Sequence, residues 1–430
     1  MEKLNHFCSI DSSLIVKAAQ EYGTPHYLYD EQTIIDKCQA LRKIPKAYGL
    51  TVRYAMKANS TKALLQLIRK QGLKIDASSL NEVRRATLAG YSYKDIMLTS
   101  QEVPLNEEKV DLLTMISQGL KYNVCSKEQL FNIADYAVSN TISLAIRLHP
   151  GSGSGESPTR NTGENYSCFG IHQNDLSEVL SYTGQRGIII DLVHVHIGSG
   201  GDPLLWQQNV DWQLTTIEKH FPQVTTVSFG GGLKEARMPA ETAADIIALG
   251  NYAQKRLSDF ESRTNRKLAM EVEPGNYIMA NAGYIVTTVI DKKQTGMNFI
   301  ILDGGIELNA RPLLYGSVHP FYVISRNGDL LSSEFYNQDN NYRAVVVGRC
   351  CETGDSQCLN PTGINTPRFM AQPNIGDYLI IGGAGAYCSS MAPMNYNSHL
   401  QAPEILYTKE GRLQLIRKRQ SLSQMISNEL

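Results

Sequence analysis

The sequence lacks several features that would assign it to a particular class of protein. No Cys-x-x-Cys pair occurs among its eight cysteines, so we expect no metal site of the zinc-knuckle type. No apolar run is long enough to cross a membrane, and residues 1–6 lack the apolar stretch of a signal peptide. The formal charge of -1 gives no reason to expect nucleic acid or an anionic membrane as a partner. We therefore expect a cytoplasmic protein with reduced thiols rather than a disulfide scaffold.

The chain has 430 residues, more than one hydrophobic core usually holds, so we expect two domains. Eight apolar, β-branched runs alternate with segments that can form helices. The runs are residues 51–56, 73–76, 95–99, 121–125, 142–148, 188–197, 223–229 and 267–273, and three of the helical segments are 61–71, 81–89 and 240–263. Eight strands, each followed by a crossover, predict a (β/α)8 barrel of the TIM type.

Beyond residue 283 the pattern changes to short strand-like runs separated by turn signals such as Asn327-Gly328. These runs are residues 284–291, 298–302, 321–325, 343–347, 378–381 and 413–416. They predict a C-terminal all-β domain, a β-barrel or sandwich, which the strand-like residues 26–29 could join. The predicted domains are therefore residues 30–282 for the barrel, and 1–29 plus 283–430 for the β domain.

Unusual polar and glycine residues fall where the predicted barrel strands end, and barrels of this type carry their chemistry on the loops that follow those ends. In chain order they are Lys57, Asp76, His149, His196, Gly198-Ser199-Gly200, Gly230-Gly231-Gly232 and Glu273-Pro274-Gly275. The glycine- and serine-rich segment 151–158 follows the fifth strand, and it could be a solvent loop or a mobile active-site loop.

Each of these residues allows a structural as well as a chemical interpretation. Lys57 could be a solvated charge, or a nucleophile able to form a Schiff base. The triple glycine 230–232 could be a tight turn or a cradle for a phosphate. His194 and His196 could hold a metal with ligands from other strand ends, but a stacking or orienting role for His196 fits better.

The remaining candidates carry charge or a thiol. Glu273 ends an apolar strand, where a carboxylate is costly unless it pairs with a lysine or a protonated heterocycle. Cys351 and Glu352 lie in the predicted β domain, where most cysteines are small buried apolar groups. Arg311 and Tyr315 could bind a carboxylate or belong to a surface ion pair. Pyridoxal phosphate chemistry would use a Schiff-base lysine, a phosphate cradle, an acid for the ring nitrogen and a partner for the ring face together.

With these residues in this order, the chain resembles the fold-type-III decarboxylases that depend on pyridoxal 5'-phosphate (PLP), most closely the bacterial diaminopimelate decarboxylases. The resemblance runs nearly end to end. The segments that carry it are Tyr54-Ala55-Met56-Lys57-Ala58-Asn59, His196-Ile197-Gly198-Ser199-Gly200, Gly230-Gly231-Gly232, Glu273-Pro274-Gly275, Cys351-Glu352-x-x-Asp355 and Gly385-Ala386-Tyr387. Singly none of them is specific, but together they are highly specific.

The resemblance implies a role for each matching residue. Lys57 would bind the cofactor covalently, His196 would stack on its ring, and Glu273 would keep the ring nitrogen protonated. The phosphate region would be held by Ser199, Gly230, Gly231, Gly232, Gly275 and Tyr387. Arg311 and Tyr315 would bind the carboxylate at the non-reacting end of the substrate, near Asn276 and Tyr387. Glu352 would bind the distal ammonium, and Cys351 would return a proton to the product. In this family the last two come from the second subunit, which implies a homodimer with shared active sites.

One departure from the family pattern concerns the substrate. The family usually reads Glu-Pro-Gly-Arg, and that arginine is a second partner of the distal carboxylate, but this chain has Asn276. A missing charge-assisted contact is worth roughly 1.5–3 kcal/mol. The resemblance implies conversion of meso-diaminopimelate to L-lysine, whereas Asn276 favours a substrate without the distal carboxylate, such as D-lysine or D-ornithine.

Two other classes of function are less favoured. An amino-acid racemase would share the barrel, the lysine motif and the cofactor, but racemases of this fold use a tyrosine base in place of the Cys351-Glu352 motif. An inactive homologue that binds PLP would have no need of Lys57, Glu273 and Cys351 together.

Overall fold

The computed structural model describes residues 10–155, 161–164, 166–335 and 341–430. The chain divides into two compact units, which we call the barrel unit and the sheet unit. The barrel unit comprises Lys37–Lys234 and Ala243–Gly275, and the sheet unit comprises the described residues up to Asp36 together with those of Glu235–Thr242 and Asn276–Leu430. The sequence pattern gave no sign that Glu235–Thr242 leaves the barrel unit, and the predicted domain bounds stay a prediction.

Eight parallel strands close the barrel, and they follow strand β1 (His26–Asp30) of the sheet unit. They are β2 (Leu50–Ala55), β3 (Lys74–Ala77), β4 (Ile96–Leu98), β5 (Lys121–Val124), β6 (Leu144–Arg147), β7 (Ile190–His194), β8 (Thr226–Ser228) and β9 (Ala269–Val272). β9 pairs with β2, so the barrel has no open edge. Together with the sheet-rich second unit, this barrel confirms the predicted fold class.

The helices of the chain flank these strands in sequence. They are α1 (Ser12–Tyr22), α2 (Glu31–Arg42), α3 (Lys62–Lys70), α4 (Leu80–Leu88), α5 (Asn106–Ser117), α6 (Lys127–Ser139), α7 (Gln173–Arg186), α8 (Pro203–His220) and α9 (Ile246–Thr264). Three short ones follow, α10 (Asn276–Met279), α11 (Arg311–Tyr315) and α12 (Leu422–Met425). No helix among the described residues has the length and apolar character needed to span a membrane.

The helix predicted over residues 240–263 begins later than expected. α9 begins at Ile246 because the Asp245 carboxylate accepts hydrogen bonds from the backbone N–H groups of Ile247 (3.1 Å) and Ala248 (2.9 Å). Before this cap, the Ala244 N–H donates to the Lys234 carbonyl (2.9 Å), which closes a loop instead of a helical turn. The apolar residues ahead of Asp245 are therefore part of a loop.

A buried ion pair joins two neighbouring strands of the barrel. Arg53 on β2 donates to Glu271 on β9 through Nε (2.7 Å to Oε2) and Nη2 (3.0 Å to Oε1), and both side chains are buried. The Glu271 charge raises the pKa of Arg53 against the opposing effect of burial, which is the largest single influence. The two-bond geometry compensates for the removal of both charges from water.

The described residues of the sheet unit form a sheet of ten strands that packs on a hydrophobic core. After β1 they are β10 (Gly283–Gln294), β11 (Asn298–Leu302), β12 (Phe321–Ile324), β13 (Leu330–Ser333), β14 (Tyr342–Val347), β15 (Arg368–Met370), β16 (Tyr378–Ile381), β17 (Glu404–Tyr407) and β18 (Leu413–Arg417). The main path runs β13-β12-β16-β10-β1-β17-β18, and β11, β14 and β15 branch from β10. Leu28, Tyr284, Tyr322, Ile380 and Ile405 are among the buried residues that form the core.

Candidate active site

Lys57 lies in a short 3-10 turn, Met56–Ala58, directly after β2. Its neighbours Met56 and Ala58 are buried, whereas Lys57 itself is exposed. The turn is held from both sides, because the Ala55 N–H donates to the Pro274 carbonyl (3.1 Å) and the Tyr54 hydroxyl donates to the Asn59 carbonyl (2.9 Å). A fixed backbone thus places Lys57 at the carboxyl end of a barrel strand, and its role in binding a cofactor stays a prediction.

Glu273 follows β9 and is buried, and both of its carboxylate oxygens accept hydrogen bonds. Oε2 accepts from His194 Nε2 (2.9 Å), and Oε1 accepts from the Ser228 hydroxyl (2.9 Å). Burial is the largest influence and would raise the pKa of Glu273, but electrostatic interaction and a hydrogen bond with His194, electrostatic interaction with His196 and the Ser228 hydrogen bond together lower it to about 2. Glu273 is therefore ionised at neutral pH.

Asp76 at the end of β3 behaves in the opposite way. Its Oδ1 accepts a hydrogen bond from the Thr99 hydroxyl (2.8 Å). Burial raises the pKa of Asp76 to about 8, and the negative charge of Glu273 adds to this effect, while the charge of Lys57 opposes it. At neutral pH the Glu273 carboxyl group is therefore ionised and the Asp76 carboxyl group is mostly protonated. Neighbouring carboxyl groups with such different pKa values are common in active sites.

His196 lies in the loop after β7, which ends at His194. Its Nδ1 accepts a hydrogen bond from the Gly231 N–H (3.0 Å), so the proton of the neutral ring is on Nε2. Burial, followed by the charges of Lys57 and Arg147, lowers the pKa of His196 well below its ordinary value. A neutral ring in a fixed orientation suits the stacking role, and that role stays a prediction.

The glycine loop after β8 lies against the loops of its neighbours. A Cβ on Gly231 would lie 2.7 Å from the Glu273 carbonyl oxygen, and one on Gly232 would lie 2.7 Å from the Gly198 carbonyl oxygen. Gly230 and Gly232 also have positive φ angles of 65° and 89°. Glycine is thus required for this close packing of the loop against its neighbours.

The described part of the segment 151–158, residues 151–155, is anchored to this region. The Ser154 N–H donates to the Ile197 carbonyl (2.8 Å), and the Gly200 N–H donates to the Ser154 carbonyl (2.9 Å). The prediction of a mobile loop for the rest of the segment concerns residues outside the described ones.

The predicted site residues divide between the two units. The barrel unit carries Lys57, His196, Ser199, Gly230, Gly231, Gly232, Glu273 and Gly275, and the sheet unit carries Asn276, Arg311, Tyr315, Cys351, Glu352 and Tyr387. The cofactor residues other than Tyr387 thus share one unit, and the predicted substrate residues share the other.

Arg311 begins α11 and is almost completely buried. Its Nε donates to His319 Nε2 (3.3 Å), and His319 in turn donates from Nδ1 to the Gly382 carbonyl (2.9 Å). Its guanidinium carbon lies 5.9 Å from the ring centroids of both Tyr315 and Tyr387. The sequence alternative of a surface ion pair is therefore wrong for Arg311, since a buried guanidinium held among aromatic rings is not a surface group.

Cys351 and Glu352 are exposed on a turn of the sheet unit. The Cys351 N–H donates to the Asn397 side-chain oxygen (2.6 Å), and the Tyr396 hydroxyl donates to Glu352 Oε2 (3.3 Å). Cys351 therefore differs from most cysteines, which are small buried apolar groups.

Asn276 accepts a hydrogen bond from a residue that the sequence analysis did not single out. Arg237 Nη2 donates to Asn276 Oδ1 (2.6 Å), and Arg237 Nε donates to the Gly383 carbonyl (2.8 Å). His194 was considered only as a possible metal ligand, and its contact with Glu273 was not foreseen because the two positions are 79 residues apart.

The pair His194 and His196 belongs to no metal-binding group among the described residues. There, the group with metal-ligand spacing is Glu307, Cys350 and Asp355. Asp355 accepts hydrogen bonds from the Ile306 N–H (2.7 Å) and the Cys350 N–H (2.7 Å), so both of its carboxylate oxygens already bind backbone N–H groups.

Comparisons with known proteins agree with the constellation in the barrel unit. Residues 31–280 match the family model described as "Pyridoxal-dependent decarboxylase, pyridoxal binding domain". The chain is 30% identical to diaminopimelate decarboxylases of Buchnera aphidicola and Escherichia coli K12, with 97% of this chain and 96% of each relative covered. A crystal structure of a diaminopimelate decarboxylase superposes with a TM-score of 0.89 at 29% identity, covering 97% of this chain and 96% of that one.

The residues of the barrel unit fit the cofactor of this family. The three glycines of the loop after β8 are packed against neighbouring backbone, and a glycine loop that follows a barrel strand is a common site for a phosphate. The ionised Glu273 suits a protonated ring nitrogen, and Lys57, an exposed residue at a strand end, carries the primary amine that an aldehyde needs. The chain belongs to the pyridoxal-dependent decarboxylases, and it is a carboxy-lyase whose cofactor is pyridoxal 5'-phosphate.

Proposed function

We propose that the protein decarboxylates meso-diaminopimelate to L-lysine. The observation that carries the proposal is similarity over 97% of the chain to enzymes named for this substrate, combined with a buried, ionised Glu273 in the barrel unit. When bound, PLP supplies a ring that accepts the electrons left by the departing carbon dioxide.

The residues of this chain supply orientation and proton control. In this proposal Glu273, fixed by His194 and Ser228, keeps a proton on the ring nitrogen of the cofactor, because its lowered pKa leaves it ionised at neutral pH. Neutral His196, fixed by Gly231, offers a flat face without charge. In this proposal Lys57 binds the cofactor, and Ser199, Gly230, Gly231, Gly232, Gly275 and Tyr387 hold its phosphate region.

The sheet unit would select the substrate and complete the reaction. We assign Arg311 and Tyr315 to the distal carboxylate and Glu352 to the distal ammonium. When the bond between Cα and the carboxylate breaks, carbon dioxide leaves and Cα needs a proton. The exposed Cys351 thiol would donate that proton and regain one from solvent.

Carbon dioxide release from a panel of amino acids tests the proposal. Protein reconstituted with PLP should act faster on meso-diaminopimelate than on D-lysine, D-ornithine or L-lysine. Borohydride treatment should attach the cofactor to the peptide that contains Lys57, and a Lys57→Ala variant serves as control. Faster release from D-lysine would contradict the proposed substrate, and racemisation without carbon dioxide would contradict the reaction.

A second candidate substrate is a D-diamino acid without a distal carboxylate, such as D-lysine or D-ornithine. The observation that favours it is Asn276, which replaces a cationic residue at a position the family uses for that carboxylate. The same panel separates the two candidates.

We also propose a homodimer with shared active sites. Leu313, Leu314 and Val318 of the sheet unit are all exposed, and Leu313 packs on Gly354 of the turn that carries Cys351 and Glu352. Apolar side chains grouped on a surface in this way are typical of protein interfaces.

Mixing two inactive variants tests shared sites as well as oligomeric state. Lys57→Ala and Cys351→Ala proteins, equilibrated together in equal amounts, should regain about a quarter of wild-type activity, because half of the dimers are mixed and each has one intact site. Light scattering should give the mass of a dimer. If the mixture stays inactive while labelled subunits exchange, the sites are not shared.

We infer a cytoplasmic location from the thiols. The seven cysteines in the described part of the chain are free, including the adjacent Cys350 and Cys351. A reducing compartment preserves such thiols. Cell fractionation with an antibody to the protein tests this location.

A further inference from the structure

Arg237 lies in the segment Glu235–Thr242, which leaves the barrel unit and belongs to the sheet unit. Its backbone is fixed, because the N–H groups of Arg237 and Met238 both donate to Glu241 Oε2 (2.7 and 3.1 Å). Only 6% of the residue is exposed. A buried guanidinium on a fixed loop is costly unless neighbouring groups accept its hydrogen bonds and leave space for its side chain.

Gly383 and Asn276 accept hydrogen bonds from Arg237, and Gly383 also leaves space for its side chain. Arg237 Nε donates to the Gly383 carbonyl, and a Cβ on Gly383 would lie 2.8 Å from Arg237 Cγ and 2.9 Å from Cδ. Gly383 also has a positive φ of 62°, which disfavours other residues. The glycine therefore makes room for the arginine stem, and Asn276 receives its outer nitrogen.

Arg237 and Arg311 act on the same part of the sheet unit. Burial lowers the pKa of His319 well below its ordinary value, and the charges of Arg237 and Arg311 lower it further. His319 binds the Gly382 carbonyl and Arg311, while Arg237 binds the next carbonyl along the chain, that of Gly383. The charges of two buried guanidinium groups thus act on one neutral histidine, which Arg311 also contacts directly.

The partner at position 276 has to be compatible with Arg237. Nη2 of Arg237 lies 2.6 Å from Asn276 Oδ1, so an arginine at 276 would bring a second positive charge into this contact. Asparagine accepts the hydrogen bond without adding charge. Asparagine at 276 is therefore compatible with a cation at 237, and an arginine at 276 is not.

We propose that Arg237 is a specificity-determining residue that, together with Arg311, binds the distal carboxylate of a diamino dicarboxylic acid. The proposal rests on the proposed function and deepens it, since it gives the reason why a chain with Asn276 still selects meso-diaminopimelate over D-lysine. Two planar guanidinium groups are well suited to the oxygens of one carboxylate.

Substrate pairs that differ in one carboxylate test the proposal on the PLP-loaded enzyme. Arg237→Ala should lower kcat/KM for meso-diaminopimelate by about ten- to a hundredfold, mainly through KM, and change that for D-lysine by less than about threefold. Arg237→Lys keeps the charge without the planar donors and should lie between the two. In Arg237→Ala/Asn276→Arg, the arginine at 276 should restore much of the lost preference. Arg263→Ala, an exposed arginine on α9, is the matched control.

Inhibition by products provides a second readout that is independent of turnover of each substrate. L-Lysine retains the distal carboxylate and cadaverine lacks it. Arg237→Ala should therefore weaken inhibition by L-lysine and leave inhibition by cadaverine unchanged. Cofactor absorbance and circular dichroism verify that the variants are loaded and folded.

The outcomes separate the two proposals. If the wild-type enzyme prefers D-lysine, the proposed function and the assignment of Arg237 both fail. If the wild-type enzyme prefers meso-diaminopimelate and Arg237→Ala keeps that preference, or loses activity on both substrates equally, only the assignment of Arg237 is overturned.

Discussion

Replacement of Glu273 by glutamine removes one negative charge from the barrel unit and keeps nearly the same shape. The carboxylate accepts from His194 at one oxygen and from Ser228 at the other. A glutamine has only one oxygen, so its NH2 group has to face one of these donors. We expect the variant to bind PLP and to lose most of its activity, because nothing then holds the proton on the ring nitrogen.

The magnitude follows from the pKa of this group. Burial is the largest influence and acts to raise the pKa, but His194, His196 and Ser228 outweigh it and lower the pKa from 4.5 to about 2. This difference corresponds to about 3 kcal/mol in favour of the ionised carboxylate. If the same free energy stabilises the proton on the ring nitrogen of the cofactor, removal of the negative charge should lower kcat by about a hundredfold.

The assay is kcat for carbon dioxide release at saturating PLP, with cofactor absorbance as the measure of loading. Ser228→Ala removes one hydrogen bond and no charge, so its kcat should fall by no more than about tenfold. Glu410→Gln changes an exposed carboxylate and should have no effect. A fully loaded Glu273→Gln enzyme with kcat within about twofold of wild type would refute the reasoning.

Three further predictions concern the barrel unit. Asp76 has a higher pKa in the folded protein than in the unfolded chain, so its stabilising contribution is complete below about pH 4 and is lost as pH rises to about 8. In urea unfolding of the cofactor-free protein, the stability of Asp76→Asn relative to wild type should therefore increase from about pH 4 to about pH 8. A difference in unfolding free energy that does not change with pH would contradict the raised pKa. Arg53→Met leaves Glu271 buried without its partner and should lower the free energy of unfolding by about 3–5 kcal/mol, whereas Arg263→Ala, at an exposed pair, should cost less than about 1 kcal/mol. Gly231→Ala places a Cβ 2.7 Å from the Glu273 carbonyl oxygen and should weaken PLP binding measured by fluorescence titration, while Gly184→Ala, with open space around it on α7, should not.

The barrel could be predicted from the sequence because its signals are local. Each strand is a short apolar run, and the loops that follow carry Lys57, the glycine triplet and Glu273 within a few residues of the strand end. The start of α9 was placed too early for a related reason. Apolar periodicity continues through Ala243 and Ala244, but the Asp245 cap decides where helical hydrogen bonding begins.

The contacts that set the charges of the site could not be predicted, because they join distant positions. His194 is 79 residues from Glu273, and Arg53 is 218 residues from Glu271. Closure of the barrel brings these side chains together, since β2 pairs with β9, and β7 and β9 lie on either side of β8. Register at the level of single residues depends on packing throughout the barrel. The separation of the Asp76 and Glu273 pKa values follows from those contacts, so it too had no signal in the sequence.

At Asn276 the sequence motif alone and the folded structure lead to different inferences about the substrate. The exchange of arginine for asparagine predicts the loss of a cation, and with it the loss of a carboxylate at the far end of the substrate. The fold changes that inference, since Arg237, 39 residues earlier, donates to Asn276 Oδ1 and needs Gly383 for its stem. Asparagine at 276, arginine at 237 and glycine at 383 are mutually compatible, and an arginine at 276 would oppose the charge at 237. If this reasoning is correct, Asn276→Arg alone should weaken the binding of meso-diaminopimelate, although it restores the family motif, and only removal of Arg237 should make the restored arginine favourable.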